Sequence, residues 1–425
     1  MTDFINNIGF ELENIGSYTI VYASDLPGYE HAANILKESI QKYKNCTLPV
    51  YRDVDCARMP REILIGRTNR PLSEKYYSDN GAKRIMTFEV IVESGDLQIA
   101  CGGPYSAKRC IGYLEARLLP EASRTLKNGS YYRTFLTMVG APLTGGADIR
   151  VMSSNVLCDR WCRDALFNPV LPATFRCEIF AGVLLRYRPD LIGAQELGEV
   201  WAGVLPYYLE LLEKYYGLSY TYAVGKHNGV VNHEPLIYRS DRLEMLASGF
   251  DSMPYWDIDD CFYRGVAYAV LRVREADGKM IGIVNAHWNH TSEELMNTDA
   301  AVKAARMNTL MQTYPLVCAF ATGDYNSHKF ESRCLYRFVR DVNGAIASDK
   351  ARENGTLLID GGCRRTHSTM RDDIIAPFDD EFIDHIVCAG DYEVLRHDTV
   401  IYNCTQSMSD HSFIYADIAL GKNAR

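Results

Sequence analysis

Six polar motifs stand in order along this chain, each attached to its own apolar run. Asn155 lies in the run from Val151 to Leu157, and Glu196 closes the run from Leu191 to Gln195. Asn285 and His287 end a run that begins at Ile281, while Asp324 and Asn326 follow Ala321-Thr322-Gly323. Asp384 sits between Ile383 and Ile386, and Asp410-His411 open the alternating stretch Phe413 to Ile418. Carboxylates, imidazoles and amides are costly to bury without partners. Taken singly, each reads as a satisfied group in a core. Six on separate strand ends can converge on one edge of a sheet, where loops commonly carry sites.

The residue types suit hydrolysis of a phosphate ester. Glu196 is a natural ligand for magnesium, which prefers one or two carboxylates and takes its remaining ligands from water and phosphate. Asn155 and Asn326 can hold a water or a phosphate oxygen without adding negative charge. Asp324 can accept a proton from the attacking water. His411 can donate to a phosphate oxygen or handle a proton, with Asp384 fixing its tautomer. His287 is a second donor for the pentavalent oxyanion. No Ser or Cys nucleophile has an obvious base, and Cys158 and Cys162 have no second pair to complete a zinc site. Metal-assisted attack by water is the reaction these residues fit.

In order and strand context the motifs resemble the endonuclease/exonuclease/phosphatase (DNase I-like) superfamily over roughly residues 147–420. That resemblance implies a four-layer α/β/β/α sandwich of two mixed sheets and a Mg2+ cofactor, with Mn2+ as an alternative. It implies metal ligation at Glu196, with Asn155 and Asp410 beside it. His287, Asp324, Asn326, Asp384 and His411 are the implied catalytic residues. Asn155, Asn285 and Arg264 are the implied substrate contacts, Arg264 because it precedes the alternating strand Val266 to Val270. The pattern departs from the family at several points. His385 follows Asp384 where an aromatic is commoner, no Pro follows Asn326, and Leu157 stands where nuclease branches often carry a carboxylate. The acidic partner of the first His is either Glu234 in a shifted register or is replaced by Asn232. The departures leave the substrate open: a phosphodiester is the leading reading, a nuclease acting on DNA or RNA the first alternative. The other alternative is a catalytically silent glycan- or phosphate-binding protein.

The elements that must position these residues are strand-rich. At 425 residues the chain is long enough for two domains. We place a small α/β domain at 1–145 and the catalytic domain at 146–425, with Pro142 to Gly146 as linker. Strands are expected at Tyr18–Ala23, Glu62–Gly66, Thr87–Glu93 and Leu97–Cys101, with helices over 30–43 and 105–119. Gly102-Gly103 before the second helix reads as a strand-to-helix turn. The Glu62 to Thr68 stretch, the Leu97 to Gly103 hairpin end and the helix through Glu115 resemble the small α/β domain of some glycoside hydrolases. From Ala147 onward, many antiparallel strands with few helices between them predict an α+β fold, two packed sheets flanked by helices.

Charge and composition narrow the partners. From Asp148 onward 28 Lys and Arg face 38 Asp and Glu, against 17 and 16 before it. An acidic catalytic half argues against tight binding of long duplex nucleic acid, which needs a basic face. Arg333, Arg337 and Arg340 form a helical stripe that could touch a nucleic-acid backbone, though a solvated helix face is the favoured reading. No run of eighteen apolar residues and no signal peptide are visible, so no stable membrane anchor is expected. Thirteen scattered cysteines read as reduced thiols of a cytoplasmic protein. The oligomeric state is left open.

Overall fold

Strand register decides where the chemistry of this chain can sit. The computed structural model describes residues 9–79, 85–132, 141–158, 171–227, 229–255, 264–327, 332–356, 383–400, 408–409 and 411–421. The chain falls into two compact units. One comprises Met1–Val139 with Pro172–Gly182 and Val204–Gly217; the other comprises Gly140–Leu171, Val183–Gly203 and Leu218–Arg425. The fold class is α+β, with mixed sheets throughout.

The first unit holds a six-stranded sheet in the order Val50–Arg52, Thr19–Tyr22, Glu62–Ile65, Asp96–Cys101, Phe88–Glu93, Gly129–Tyr131. Its first four strands are parallel and the rest antiparallel. The hairpin turns at Ser94 and Gly95, both at positive φ, as a two-residue turn between twisted strands requires. Helices Tyr29–Lys44 and Pro104–Arg117 match the sequence reading, while helix Pro71–Asp79 had no clear periodic signal. The sequence also predicts a strand over Tyr131 to Val139, of which residues 133–139 lie outside the described residues.

The second unit is built on two six-stranded sheets. One runs Tyr220–Ala223, Leu236–Arg239, Leu191–Gln195, Ile149–Asn155, Ile414–Leu420, Tyr392–Thr399. The other runs Leu243–Ser252, Gly265–Val273, Met280–Asn285, Leu316–Asp324, Asp384–Gly390, Gly344–Ile346. Alternation along the strands sorts their faces. Ile281, Ile283, Cys318, Phe320, Ile386 and Cys388 join Val151, Leu191, Ile414 and Ala416 of the other sheet in one apolar core. The intervening Val284, Ala319, Ala321, Val387 and Ala389 pack with Met307, Leu310, Leu335 and Phe338. Those last four belong to helices Glu293–Thr313 and Arg333–Asp341, which cover that sheet. Ser292 starts the long helix by accepting the Leu295 N–H on its side chain.

Register then gathers the polar strand ends. Asn155 is level with Gln195 in one parallel pair, and Asn285 with Thr322 in another. Asp324, last in its strand, is level with Asp384, first in its antiparallel neighbour. Ile414 pairs with Ser153 antiparallel, so residues preceding Ile414 lie beyond the Asn155 end.

The stretch read as a linker is tied down. Arg150 is 1% exposed and donates to the carbonyls of Ala141, Pro142 and Tyr187. Its guanidinium pairs with Asp417, whose carboxylate also accepts from the Thr144 N–H and hydroxyl. Among the described residues, no helix is long and apolar enough to cross a membrane. A buried pair broken on one side leaves a naked charge, typically costing about 3–5 kcal/mol. We therefore expect Arg150→Ala to lower unfolding stability by about that amount, read by denaturant titration. An effect below about 1 kcal/mol would show that the pair is not what holds residues 141–150 in place.

Candidate active site

Asp324 is the carboxylate about which the other groups arrange themselves. It ends the strand Leu316–Asp324 at 2% exposure. Its Oδ1 accepts the Asn326 N–H at 2.9 Å, and its Oδ2 accepts the Asn155 side-chain NH2 at 3.2 Å. The same Oδ2 lies 3.4 Å from His287 Nε2 and 3.5 Å from His411 Nε2. Burial pushes Asp324 up, but the His287 and His411 imidazoles, the Asn326 N–H and the Asn155 amide together hold it below the usual carboxylate range. Burial, then Arg264, pushes His287 down to about 3 against the pull of Asp324. The two tendencies compete across this pair. We assign His287 the neutral form, because burial and the neighbouring Arg264 both oppose its charge.

Asn155 links Asp324 to Glu196. Its NH2 also donates to Glu196 Oε1 at 2.9 Å, while its own oxygen accepts the Leu157 N–H. In this orientation Asn155 turns hydrogens, not oxygen, toward the two carboxylates. Glu196 Oε2 accepts the Cys158 N–H at 2.8 Å, and Oε1 lies 3.8 Å from His287 Nδ1. Leu157, Glu196 and Asn326 all have positive φ, at 58°, 61° and 44°. Such backbone is disfavoured for Leu and Glu, by about 1–3 kcal/mol each, and such outliers cluster at functional sites.

Behind His411 stands Asp384. Its Oδ2 meets His411 Nδ1 at 2.7 Å, which leaves Nε2 directed toward Asp324. Ser409 sets the approach: its hydroxyl donates to the Asn155 carbonyl and accepts the His411 N–H. Asp410 lies outside the described residues. His385 is buried, rests against Tyr325 at 5.4 Å between ring centroids, and meets the Ser327 carbonyl through Nε2. It thus occupies the place of an aromatic and adds a polar tether.

Asn285 does not reach the cleft. Its NH2 donates to the Ala194 and Glu234 carbonyls, and its oxygen accepts from Gln195 and Thr322. Fully buried and fully engaged, it clamps the two sheets together, so its reading as a substrate contact is corrected. The clamp needs Gly193, where a Cβ would lie 1.9 Å from Thr322 Oγ1 and 2.5 Å from Asn285 Oδ1. Arg264 is half-buried beside the site and donates to the carbonyls of His287 and Trp288.

Glu234 was one of two candidates for partner of the first His, and it is the one engaged, though not through the imidazole. Its two oxygens accept the N–H groups of His287 and Gly265, while Asn232 bonds to Val224 and to the Glu234 N–H. Trp288 and Lys303 escaped the sequence reading. The Trp288 carbonyl accepts from both Arg264 and the Asn326 amide, and its N–H donates to the Asp324 carbonyl. Lys303, 0% exposed, donates to the Thr322 carbonyl and lies 3.9 Å from the centre of the Tyr325 ring. A lysine inside a long helix gives no sequence signal of this kind.

The donor set is of the type a hard divalent cation takes. Glu196 and Asp324 share one amide group, and no thiolate or imidazole cage of the zinc type surrounds them among the described residues. Asp324, Asp384 and His411 also bring ligand atoms within 4.8 Å of one another. In that group Asp384 Oδ2 and His411 Nδ1 are engaged with each other.

No protein-family model and no curated protein sequence matches the chain. Solved structures do. An endonuclease/exonuclease/phosphatase from Bacteroides vulgatus aligns with a TM-score of 0.50 at 22% identity, covering 64% of this chain and 98% of that one. The mannosyl-6-phosphatase of Bacteroides thetaiotaomicron gives 0.47 at 18% identity over 64% and 99%. The catalytic domain of human Nocturnin, with a bound sulfate, gives 0.47 at 17% over 64% and 94%. The fold is that of the endonuclease/exonuclease/phosphatase proteins.

Glu234 offers a stability test. Complete burial pushes its pKa up to about 8, despite Arg264 and the two N–H donors. Its folded value therefore exceeds its unfolded one. The stability it contributes is whole below the unfolded carboxylate range and is lost as pH rises through about 8. We expect the denaturant midpoint to fall as pH rises from about 5 to about 8. The fall should be shallower in Glu234→Gln; an identical fall would place the titrating group elsewhere.

Proposed function

We propose that the second unit is a metal-dependent phosphoesterase that uses water to hydrolyse a phosphate ester, with a phosphodiester as its preferred substrate. The observation that carries this reading is the run of contacts Asp384–His411–Asp324–Asn155–Glu196, assembled from five separate strand ends. It joins a carboxylate held ionised, two imidazoles directed at it and a second carboxylate suited to a cation.

In this reading Glu196 holds Mg2+, with Mn2+ able to replace it, and the ion supplies charge neutralisation at the substrate phosphate. Asp324 accepts a proton from the attacking water. Asp384 fixes His411 with Nε2 toward the reacting centre, where His411 donates to a phosphate oxygen. His287, neutral, gives a single N–H to the developing negative charge. Asn155 spaces the two carboxylates, and Asn326 orders Asp324 through its backbone while its amide is tied to Trp288. Arg264 keeps the His287–Trp288 turn in place. Held below the usual carboxylate range, Asp324 is ionised at neutral pH and can serve as the base.

The test is hydrolysis of bis-p-nitrophenyl phosphate beside p-nitrophenyl phosphate, with magnesium, manganese or excess chelator. We expect metal-dependent cleavage, faster for the diester. Glu196→Ala and His411→Ala should each lower turnover by about a hundredfold or more, with thermal unfolding unchanged. Turnover that survives excess chelator would remove the metal from the reaction, and wild-type turnover in folded His411→Ala would remove His411.

A further inference from the structure

The helix Glu293–Thr313 buries a lysine that forms no ion pair among the described residues. Lys303 is 0% exposed, and Glu234, Asp299 and Asp324 act on it only from a distance. Burial pushes its pKa well below the ordinary lysine range, against the pull of those three carboxylates. Replacing such a buried charge by an apolar group of similar volume is often neutral or stabilising. Stability alone therefore does not account for a lysine at this position.

What it touches does. Lys303 Nζ donates to the Thr322 carbonyl at 2.8 Å and lies 3.9 Å from the centre of the Tyr325 ring. Those two residues flank Gly323 and Asp324. The Thr322 carbonyl also accepts the Ala286 N–H, at 3.3 Å, and Ala286 immediately precedes His287. One ammonium thus sits at the junction of the two strand ends that deliver Asp324 and His287. Gly323 leaves it room, since a Cβ there would lie 3.0 Å from Lys303 Nζ and 2.1 Å from the Ala286 carbonyl oxygen. One turn earlier in the same helix, Asp299 accepts the Asn289 N–H at 2.6 Å and the Tyr255 hydroxyl. The helix therefore fastens the backbone on both sides of His287 and Trp288. The rings of Trp288 and Phe338 stand around the ammonium, with centres at 5.8 and 5.7 Å.

We propose that Lys303 is a positioning residue, which holds the Gly323–Asp324 end in register with His287 so that Asp324 Oδ2 faces both imidazoles. It acts through Thr322 and Tyr325. Its value to turnover rests on the phosphoesterase reading. A carbonyl bond and a cation–π contact made by one group cannot be reproduced by an apolar side chain. Methionine fits an aromatic surround but has no hydrogen to donate.

The test is Lys303→Met in the full chain. The Thr322 carbonyl keeps the Ala286 N–H, so no buried acceptor is left bare. The unfolding temperature is expected to be unchanged or higher. With bis-p-nitrophenyl phosphate and magnesium, kcat is expected to fall about tenfold or more while KM stays within about twofold, because a displaced Asp324 spoils the reacting geometry rather than binding. In NMR spectra the ring resonances of His287 and His411 should move, while those of His397, on the strand Tyr392–Thr399, should stay. A lower unfolding temperature would make Lys303 a structural group and overturns the proposal, as does wild-type kcat or an unmoved pair of ring resonances. A wild-type chain that does not cleave the diester ends the hydrolytic reading alone, and the ring resonances then decide the positioning role by themselves.

Discussion

A carboxylate at 2% exposure cannot stay ionised unless the protein supplies donors, and the site is organised around supplying them to Asp324. Two arrive from neutral groups, the Asn326 N–H and the Asn155 amide. Two imidazoles complete the set. Each donor comes from a different part of the chain, so each depends on a different feature of the fold. Asn326 depends on its left-handed backbone, Asn155 on the parallel pair with Gln195, and His411 on Asp384 and Ser409.

These features in turn rest on the two sheets meeting closely at one edge. Asn285 joins the sheets through Ala194, Glu234 and Gln195, and Gly193 leaves room for it to do so. Glu234 adds a second tie, from one sheet to the backbone on either side of the hairpin that carries Asn285. Lys303 reaches from the covering helix to the Thr322 carbonyl, two residues before Asp324. The buried polar groups here are mostly satisfied by one another, which makes the edge rigid. Removing one member leaves its neighbours unpaired, a larger penalty than the bond itself.

Much of the architecture was legible because apolar periodicity is a local signal. The strands around Ile281 and Phe413 lie where the sequence put them, within a residue or two. Asn155, Glu196, His287, Asp324 and His411 were found as polar groups at strand ends, and the structure brings them together. Asn285 misled for the same reason that the others did not. It too is a polar strand-end residue, and only its four partners on both sheets show that it faces inward. Glu234 could be narrowed to two candidates, because its neighbour Asn232 has similar chemistry. Trp288 acts mainly through its backbone, which carries no sequence signature, and the anchoring of 142–146 was not legible because Arg150 and Asp417 are 267 residues apart in the chain.

The sequence by itself determined which residue types are available and that each stands at the end of an apolar strand, because side-chain alternation and turn chemistry are set by near neighbours. It also determined the acidic balance of the chain from Asp148 onward. Only the tertiary structure decided which end residues share one point, since that depends on register between strands distant in sequence, such as Asp324 with Asp384. It decided as well which polar groups are consumed in holding the sheets and which are left for chemistry. Hydrogen-bond partners are chosen by proximity in space, and no single sequence records that proximity.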